Sequence, residues 1–167
     1  SGKSALHVAA ARGAAQCAAA LLGGGADAAA VASGGLQPLH LAAAADHLGV
    51  IELLLAAGAP SDALGGAELA PLHLAAGSGA LHALARLLEA GALLERPAGS
   101  SARTALHLAC HNARTAAVQL LLRARADACA ADAHGSTPLH WACKAPRSAA
   151  DAAHAVGALL EARADPA

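Results

Sequence analysis

Apolar residues recur along the chain in short blocks with the spacing of an α-helix. The block Val50-Ile51-Glu52-Leu53-Leu54-Leu55 has apolar residues at i, i+3 and i+4 and places Glu52 on the outer face. Gly58 follows shortly afterwards, as a glycine that ends such a helix should. A shorter apolar face begins at Leu139 and Ala142. The pattern predicts pairs of short helices separated by turns.

The start of the first helix of each pair is marked by a short motif that occurs five times. Its histidines are 33, 33, 34 and 33 residues apart, and a period of this length indicates a stack of similar small units. The five copies are Ala5-Leu6-His7, Pro38-Leu39-His40, Pro71-Leu72-His73, Ala105-Leu106-His107 and Pro138-Leu139-His140.

Turn and capping residues complete the unit. Before the last copy, Gly135 permits a tight turn, Thr137 can cap the helix, and Pro138 suits its first position. Glycine ends the second helix in three units, but Arg125 and Arg163 replace it in the last two. The predicted repeats cover residues 1–32, 33–65, 66–98, 99–132 and 133–167. The chain begins inside a repeat, and we expect it to be part of a longer protein.

This unit resembles the ankyrin repeat, whose motif runs Gly-x-Thr-Pro-Leu-His-Leu-Ala-Ala and later Gly-Ala-Asp. The motif is matched by Gly35-Leu36-Gln37-Pro38-Leu39-His40-Leu41-Ala42-Ala43, and the resemblance covers the whole chain. It implies an all-α solenoid of stacked helix-turn-helix units with projecting turns. In the family, the threonine hydroxyl bonds to the motif histidine. Because Gln37 and Ala70 lack that hydroxyl, we expect His40 and His73 to be less well held.

Two places depart from the regular period. Repeat four has one extra residue in the turn 99–103, which we expect to be longer than the others. Repeat five carries about five additional residues between its helices, around positions 144–150. Pro146 lies in this insertion and should end the first helix.

Composition excludes several classes of function. The net charge is −1, so no strong field favours nucleic acid, and no stretch is apolar enough to insert into a membrane. Roughly a third of the residues are alanine, which fills only the thin space between closely packed helices. The four cysteines show no disulfide framework and predict reduced thiols in an intracellular, cytoplasmic protein.

Histidines and cysteines three residues apart, as in His107 with Cys110 and His140 with Cys143, could suggest zinc ligands. The histidines belong to the repeated motif, however, and the cysteines replace a motif alanine. Equivalent helices are about 8–10 Å apart, which is too far for one zinc ion. We therefore predict no metal, no cofactor and no catalytic residue, and we assign a structural role to the five motif histidines, His7, His40, His73, His107 and His140.

The binding surface is expected on the concave side and at the turns. There, repeats one to three present mostly small residues, whereas repeats four and five present bulky polar and basic ones. Such residues can be binding hot spots or can merely solubilise an exposed face. Trp141, the only aromatic residue, can serve either packing or binding. The candidate partner-binding residues are Arg103, His111, Asn112, His134, Ser136, Trp141, Lys144 and Arg147.

The resemblance implies a non-catalytic protein–protein interaction module, a scaffold or adaptor. If its main contact lies on the basic residues of repeats four and five, the partner is expected to have an acidic or mixed patch. Three contexts remain open as alternatives. The chain could belong to the substrate-recruiting subunit of a ubiquitin ligase, to the regulatory part of an ion channel, or to an enzyme whose other domains lie elsewhere. The flanking sequence would distinguish them.

Overall fold

Ten α-helices make up the regular structure of the described residues, which are 2–144 and 149–164 of a computed structural model. No strand occurs in these ranges. Two short 3-10 turns, Gly66–Glu68 and Gly99–Ser101, precede the third and fourth motif helices. The helices are α1 Ala5–Arg12, α2 Ala15–Gly23, α3 Pro38–Ala44, α4 Leu48–Ala56, α5 Pro71–Ser78, α6 Leu81–Glu89, α7 Ala105–His111, α8 Thr115–Arg123, α9 Pro138–Cys143 and α10 Ala149–Ala164.

The helices form two layers. The odd-numbered helices pack on one another in chain order, the even-numbered helices do the same, and each odd helix packs against the even helix that follows it. The resulting solenoid of helix pairs confirms the predicted fold class. The turn of repeat four is one residue longer than the others, as expected. The N–H of Ala98 donates to the carbonyl of Arg103, five residues later, whereas the N–H of Gly65 donates to the carbonyl of Leu69, four residues later.

The core is a thin layer of leucine and alanine between the helices. The motif leucines Leu6, Leu39, Leu72 and Leu106 are at most 1% exposed, and the alanines that follow them let the helices approach closely. In the second layer, Ile51, Leu54, Leu84, Leu87, Leu121 and Leu159 are fully buried.

The motif histidines connect neighbouring repeats. In each, the ring Nδ1 accepts a hydrogen bond from the backbone N–H three residues earlier, at 3.1–3.2 Å. The proton of the neutral ring is therefore on Nε2, which can donate to a backbone carbonyl farther along the chain. The acceptors are Leu36 for His7, Ala63 and Leu69 for His40, Arg96 for His73, and Ser136 for His107.

The expectation of weaker bonding is wrong for His40 but right for His73, which makes two described hydrogen bonds where His107 makes three. Neither His40 nor His73 has the hydroxyl that Ser4 and Thr104 direct at Nδ1 of their own motif histidines. Nevertheless, His40 is fully buried and reaches two carbonyls, both at 3.0 Å, and the Nε2 of His73 lies 2.9 Å from the carbonyl of Arg96. The main contacts come from the backbone, so they survive a change of the preceding side chain.

Residues with a left-handed backbone conformation follow the ends of several helices, as the sequence predicts for the glycines. Gly58 has φ 84°, and Arg125, which replaces the glycine in repeat four, keeps the same conformation with φ 71°. Ala113 likewise has φ 50° after the first helix of repeat four. A residue with a Cβ in this region is strained by roughly 1–2 kcal/mol. Repeat four therefore keeps the fold at a cost in stability.

Candidate functional site

Four of the predicted binding residues meet around the indole ring of Trp141. The guanidinium carbon of Arg103 lies 3.8 Å from the ring centroid, and the amine of Lys144 lies 5.3 Å from it. The ring of His111 approaches edge-on, with the centroids 5.0 Å apart and the planes at 90°. These residues come from the turn of repeat four, the ends of α7 and α9, and the middle of α9. We call Arg103, His111, Trp141 and Lys144 the Trp141 cluster.

The buried carboxylate of Asp132 orients the indole of Trp141. Asp132 is 5% exposed, and its Oδ2 accepts the indole N–H of Trp141 at 2.9 Å. Its Oδ1 accepts the backbone N–H groups of His134 and Ser136, both at 2.9 Å. Burial opposes ionisation of this carboxyl, but these three donors outweigh that effect and lower its pKa to about 2. Asp132 is therefore ionised at neutral pH and fixes the orientation of the indole.

Asp132 was not among the candidates from the sequence, although a signal for its role exists. Asp132 and Gly135 stand at the first and fourth positions of a turn, a pattern typical of type I β-turns. The residues that open the equivalent turns of the earlier repeats are Ala32, Gly65 and Ala98, so this carboxylate is specific to repeat five. Its contact with the indole could not be deduced from the spacing alone.

The cluster keeps an excess of positive charge. The Nε of Arg103 lies 3.9 Å from Oδ2 of Asp132, close enough for an ion pair but too far for a hydrogen bond. The Arg103 side chain is 28% exposed, and Lys144 is exposed. Two permanent cations thus accompany one carboxylate. The Nδ1 atom of His111 is buried and has no hydrogen-bond partner within the described ranges.

The remaining candidates have different surroundings. His134 is exposed at the turn, whereas Ser136 is half-buried and its carbonyl lies 3.1 Å from Nε2 of His107. Asn112 turns toward repeat three, where its side-chain amide donates to the carbonyl of Gly77 at 2.9 Å. Arg147 and most of the predicted insertion lie outside the described residues.

The pair His107 and Cys110 is buried between packed helices, whereas His140 and Cys143 are exposed. Both ring nitrogens of His107 are hydrogen-bonded within the protein. Cys110 is fully buried, and burial raises the pKa of its thiol to about 12. In residues 2–144 and 149–164, no three His, Cys, Asp or Glu side chains come together as metal ligands would. None of the helices in those ranges is long and apolar enough to cross a membrane.

Comparison with known proteins agrees with the architecture. A family model described as ankyrin repeats (3 copies) matches residues 1–64 and 72–167, which is nearly the whole chain. No curated protein matches the chain at a significant level. The chain consists of stacked helix pairs, and its motif histidines form hydrogen bonds between neighbouring repeats. Together with the match to the family model, this shows that the chain belongs to the ankyrin repeat family.

Proposed function

We propose that this chain is a non-catalytic scaffold or adaptor that binds a partner protein mainly through the Trp141 cluster. Ankyrin repeats are general protein–protein interaction modules. The observation that supports this location is the convergence of Arg103, His111 and Lys144 on the only tryptophan of the chain. Tryptophan and arginine are the residues most enriched among those that contribute strongly to binding.

The cluster is also organised before any partner arrives. The indole of Trp141 is fixed by its hydrogen bond to Asp132, and Arg103 stacks on the ring. Ordering a flexible side chain on binding costs about 0.5–1.5 kcal/mol, and a side chain already in place avoids much of this cost. A prearranged aromatic and cationic surface suits specific recognition better than a set of mobile solubilising side chains.

The charge of the cluster favours an acidic partner surface. Arg103 and Lys144 exceed Asp132 by one positive charge, and Lys144 is exposed. A carboxylate of the partner can therefore accept from the terminal guanidinium nitrogens of Arg103, in the planar geometry that such pairs prefer. We place the protein inside the cell, in the cytoplasm, because its cysteines are all free.

A comparison of charge-matched variants tests this function. Arg103→Ala, His111→Ala and Lys144→Ala are introduced together into the full-length protein, and the control carries Lys3→Ala and Arg12→Ala on repeat one. Each variant loses one lysine and one arginine, so the global charge effect is the same. We expect the triple variant alone to lose most of the partner proteins recovered by affinity purification. Equal recovery by the triple variant and the wild type, with circular dichroism showing both folded, would contradict the proposal.

A further inference from the structure

Three equivalent positions of the repeats adopt a left-handed backbone, and repeat four has a side chain at all of them. The positions lie just before the first helix, between the two helices and after the second helix. Repeat one fills them with three glycines, at φ values from 53° to 87°. In repeat four they are held by Ala102, Ala113 and Arg125, with φ values of 50°, 50° and 71°. A residue with a Cβ atom is strained in this conformation, whereas glycine is not.

The other repeats carry less of this strain. Repeat two has glycine at two of the three positions and, at the third, Asp46, a residue type that tolerates the left-handed region. Repeat three also has two of the glycines, and its other left-handed residues, Ala67 and Glu68, lie together in one turn. Repeat five keeps Gly135, at φ 74°, before its first helix. Among the described residues, repeat four is therefore the most strained unit, and it lies between repeat five and the rest of the stack.

Repeat five depends on repeat four for its packing. Helix α9 packs on α7, and α10 packs on α8. The backbone N–H of Ala133 donates to the carbonyl of Ser101 at 2.9 Å, and the hydroxyl of Thr115 donates to the carbonyl of Asp151 at 3.3 Å. Because each unit of a solenoid is stabilised by the interfaces with its neighbours, opening of repeat four removes the surface on which repeat five folds.

The Trp141 cluster spans this same boundary. Arg103 and His111 belong to repeat four, whereas Trp141 and Lys144 belong to repeat five. We infer that repeats four and five open together, in brief openings, as the least stable unit of the stack, and that each opening takes the Trp141 cluster apart. This inference rests on the proposed function and specifies its regulation. A partner that contacts both Arg103 and Lys144 holds the two repeats closed, and conditions that open repeat four release the partner.

Strain and partner binding act on this opening in opposite directions. The left-handed residues raise the free energy of the closed form, so they favour local opening. The partner binds only the closed form, because the open form has no cluster, and it therefore reduces the open fraction. Ala102 and Ala113 are not members of the cluster. Glycine at these two positions therefore reduces the strain and leaves the four side chains of the cluster in place.

Hydrogen exchange of the unbound 167-residue protein, followed by mass spectrometry, tests this inference. In the wild type, helices α7 to α10 should exchange faster than α3 to α6. The variant Ala102→Gly with Ala113→Gly should slow exchange by roughly tenfold in α7 and α8, and equally in α9 and α10, which carry no substitution. The matched control is Ala90→Gly with Ala124→Gly, at φ −79° and −76°, where glycine relieves no strain and exchange should not slow.

Several results would overturn the inference. If α7 and α8 slow but α9 and α10 keep their wild-type rates, repeat five opens by itself and repeat four does not control the cluster. If no helix slows, or if the control slows exchange as much as the variant, strain in repeat four is not the cause of the opening. Because exchange is measured without a partner, these failures leave the proposed function standing. The expected exchange, combined with unchanged partner recovery by the triple variant of Arg103, His111 and Lys144, would contradict the proposed function alone.

Discussion

Replacing Asp132 with alanine should destabilise repeat five and release the indole of Trp141. The variant removes a carboxylate that accepts three hydrogen bonds of 2.9 Å, two from backbone N–H groups and one from the indole. Hydrogen bonds to a charged group contribute about 1.5–3 kcal/mol each, so their simple sum would be about 4.5–9 kcal/mol.

The expected loss is smaller than that sum. His134 is exposed and Ser136 is half-buried, so water can replace the carboxylate at both backbone N–H groups. The indole N–H is the donor least able to find a new partner, and Arg103 loses the nearby charge at 3.9 Å. We therefore expect the free energy of unfolding to fall by about 2–3 kcal/mol.

Urea unfolding measures this change, because Trp141 is the only tryptophan and its fluorescence reports on repeat five. Asp127→Ala is the control, since exposed Asp127 makes one described side-chain bond, at 2.8 Å to the N–H of Cys129. The control should lose less than about 1 kcal/mol. The fluorescence midpoint of Asp132→Ala should shift more than its circular dichroism midpoint, because repeats unfold partly independently. Equal shifts in the two variants would refute the role assigned to Asp132.

Three further predictions concern stability and reactivity. Burial lowers the pKa of three motif histidines below 6.5, so each contributes stability that is fully present above pH 6.5 and is lost as the pH falls toward the lowered pKa, with a slope of at most about 1.4 kcal/mol per pH unit. They are His40, His73 and His107. Urea titrations that show constant stability from pH 7 to pH 5 would contradict this. Ala113→Gly should raise the free energy of unfolding by about 1 kcal/mol, because Ala113 has a φ of 50°, which glycine adopts without strain. The control Ala124→Gly should lower the free energy of unfolding, because Ala124 has an unstrained φ of −76°. Cys110 is buried and the other three cysteines are exposed, so a thiol reagent should modify three cysteines of the native protein and Cys110 only in denaturant. Modification of all four thiols without denaturant would contradict the burial of Cys110.

The repeated features of the fold could be predicted from the sequence because they depend on local rules. Each motif leucine begins an apolar helical face, and glycines such as Gly58 end helices where a left-handed residue is needed. The histidine period sets the register of the whole stack. Since every unit uses the same contacts, five weak local signals together specify one architecture.

Contacts that cross from one repeat to another could be predicted only in part. The sequence suggested that Arg103, His111, Trp141 and Lys144 share a surface, because their positions in the repeat are close. It did not indicate that Asn112 turns away to bond Gly77, or that Asp132 holds the indole. Those contacts depend on rotamers and on turn conformation, which the period does not determine. The expectation for His40 was wrong because it considered the side-chain hydroxyl and neglected the second backbone carbonyl that His40 reaches.

Site-specific photo-crosslinking tests the central claim, that repeats four and five form the main partner-binding surface. A benzophenone amino acid replaces exposed His134 beside the Trp141 cluster or, as the control, exposed Arg12 on repeat one. Both proteins are irradiated with the partner recovered by affinity purification. The account predicts a crosslinked product from position 134 and little or none from position 12. Equal crosslinking at both positions, or crosslinking from position 12 alone, would contradict it.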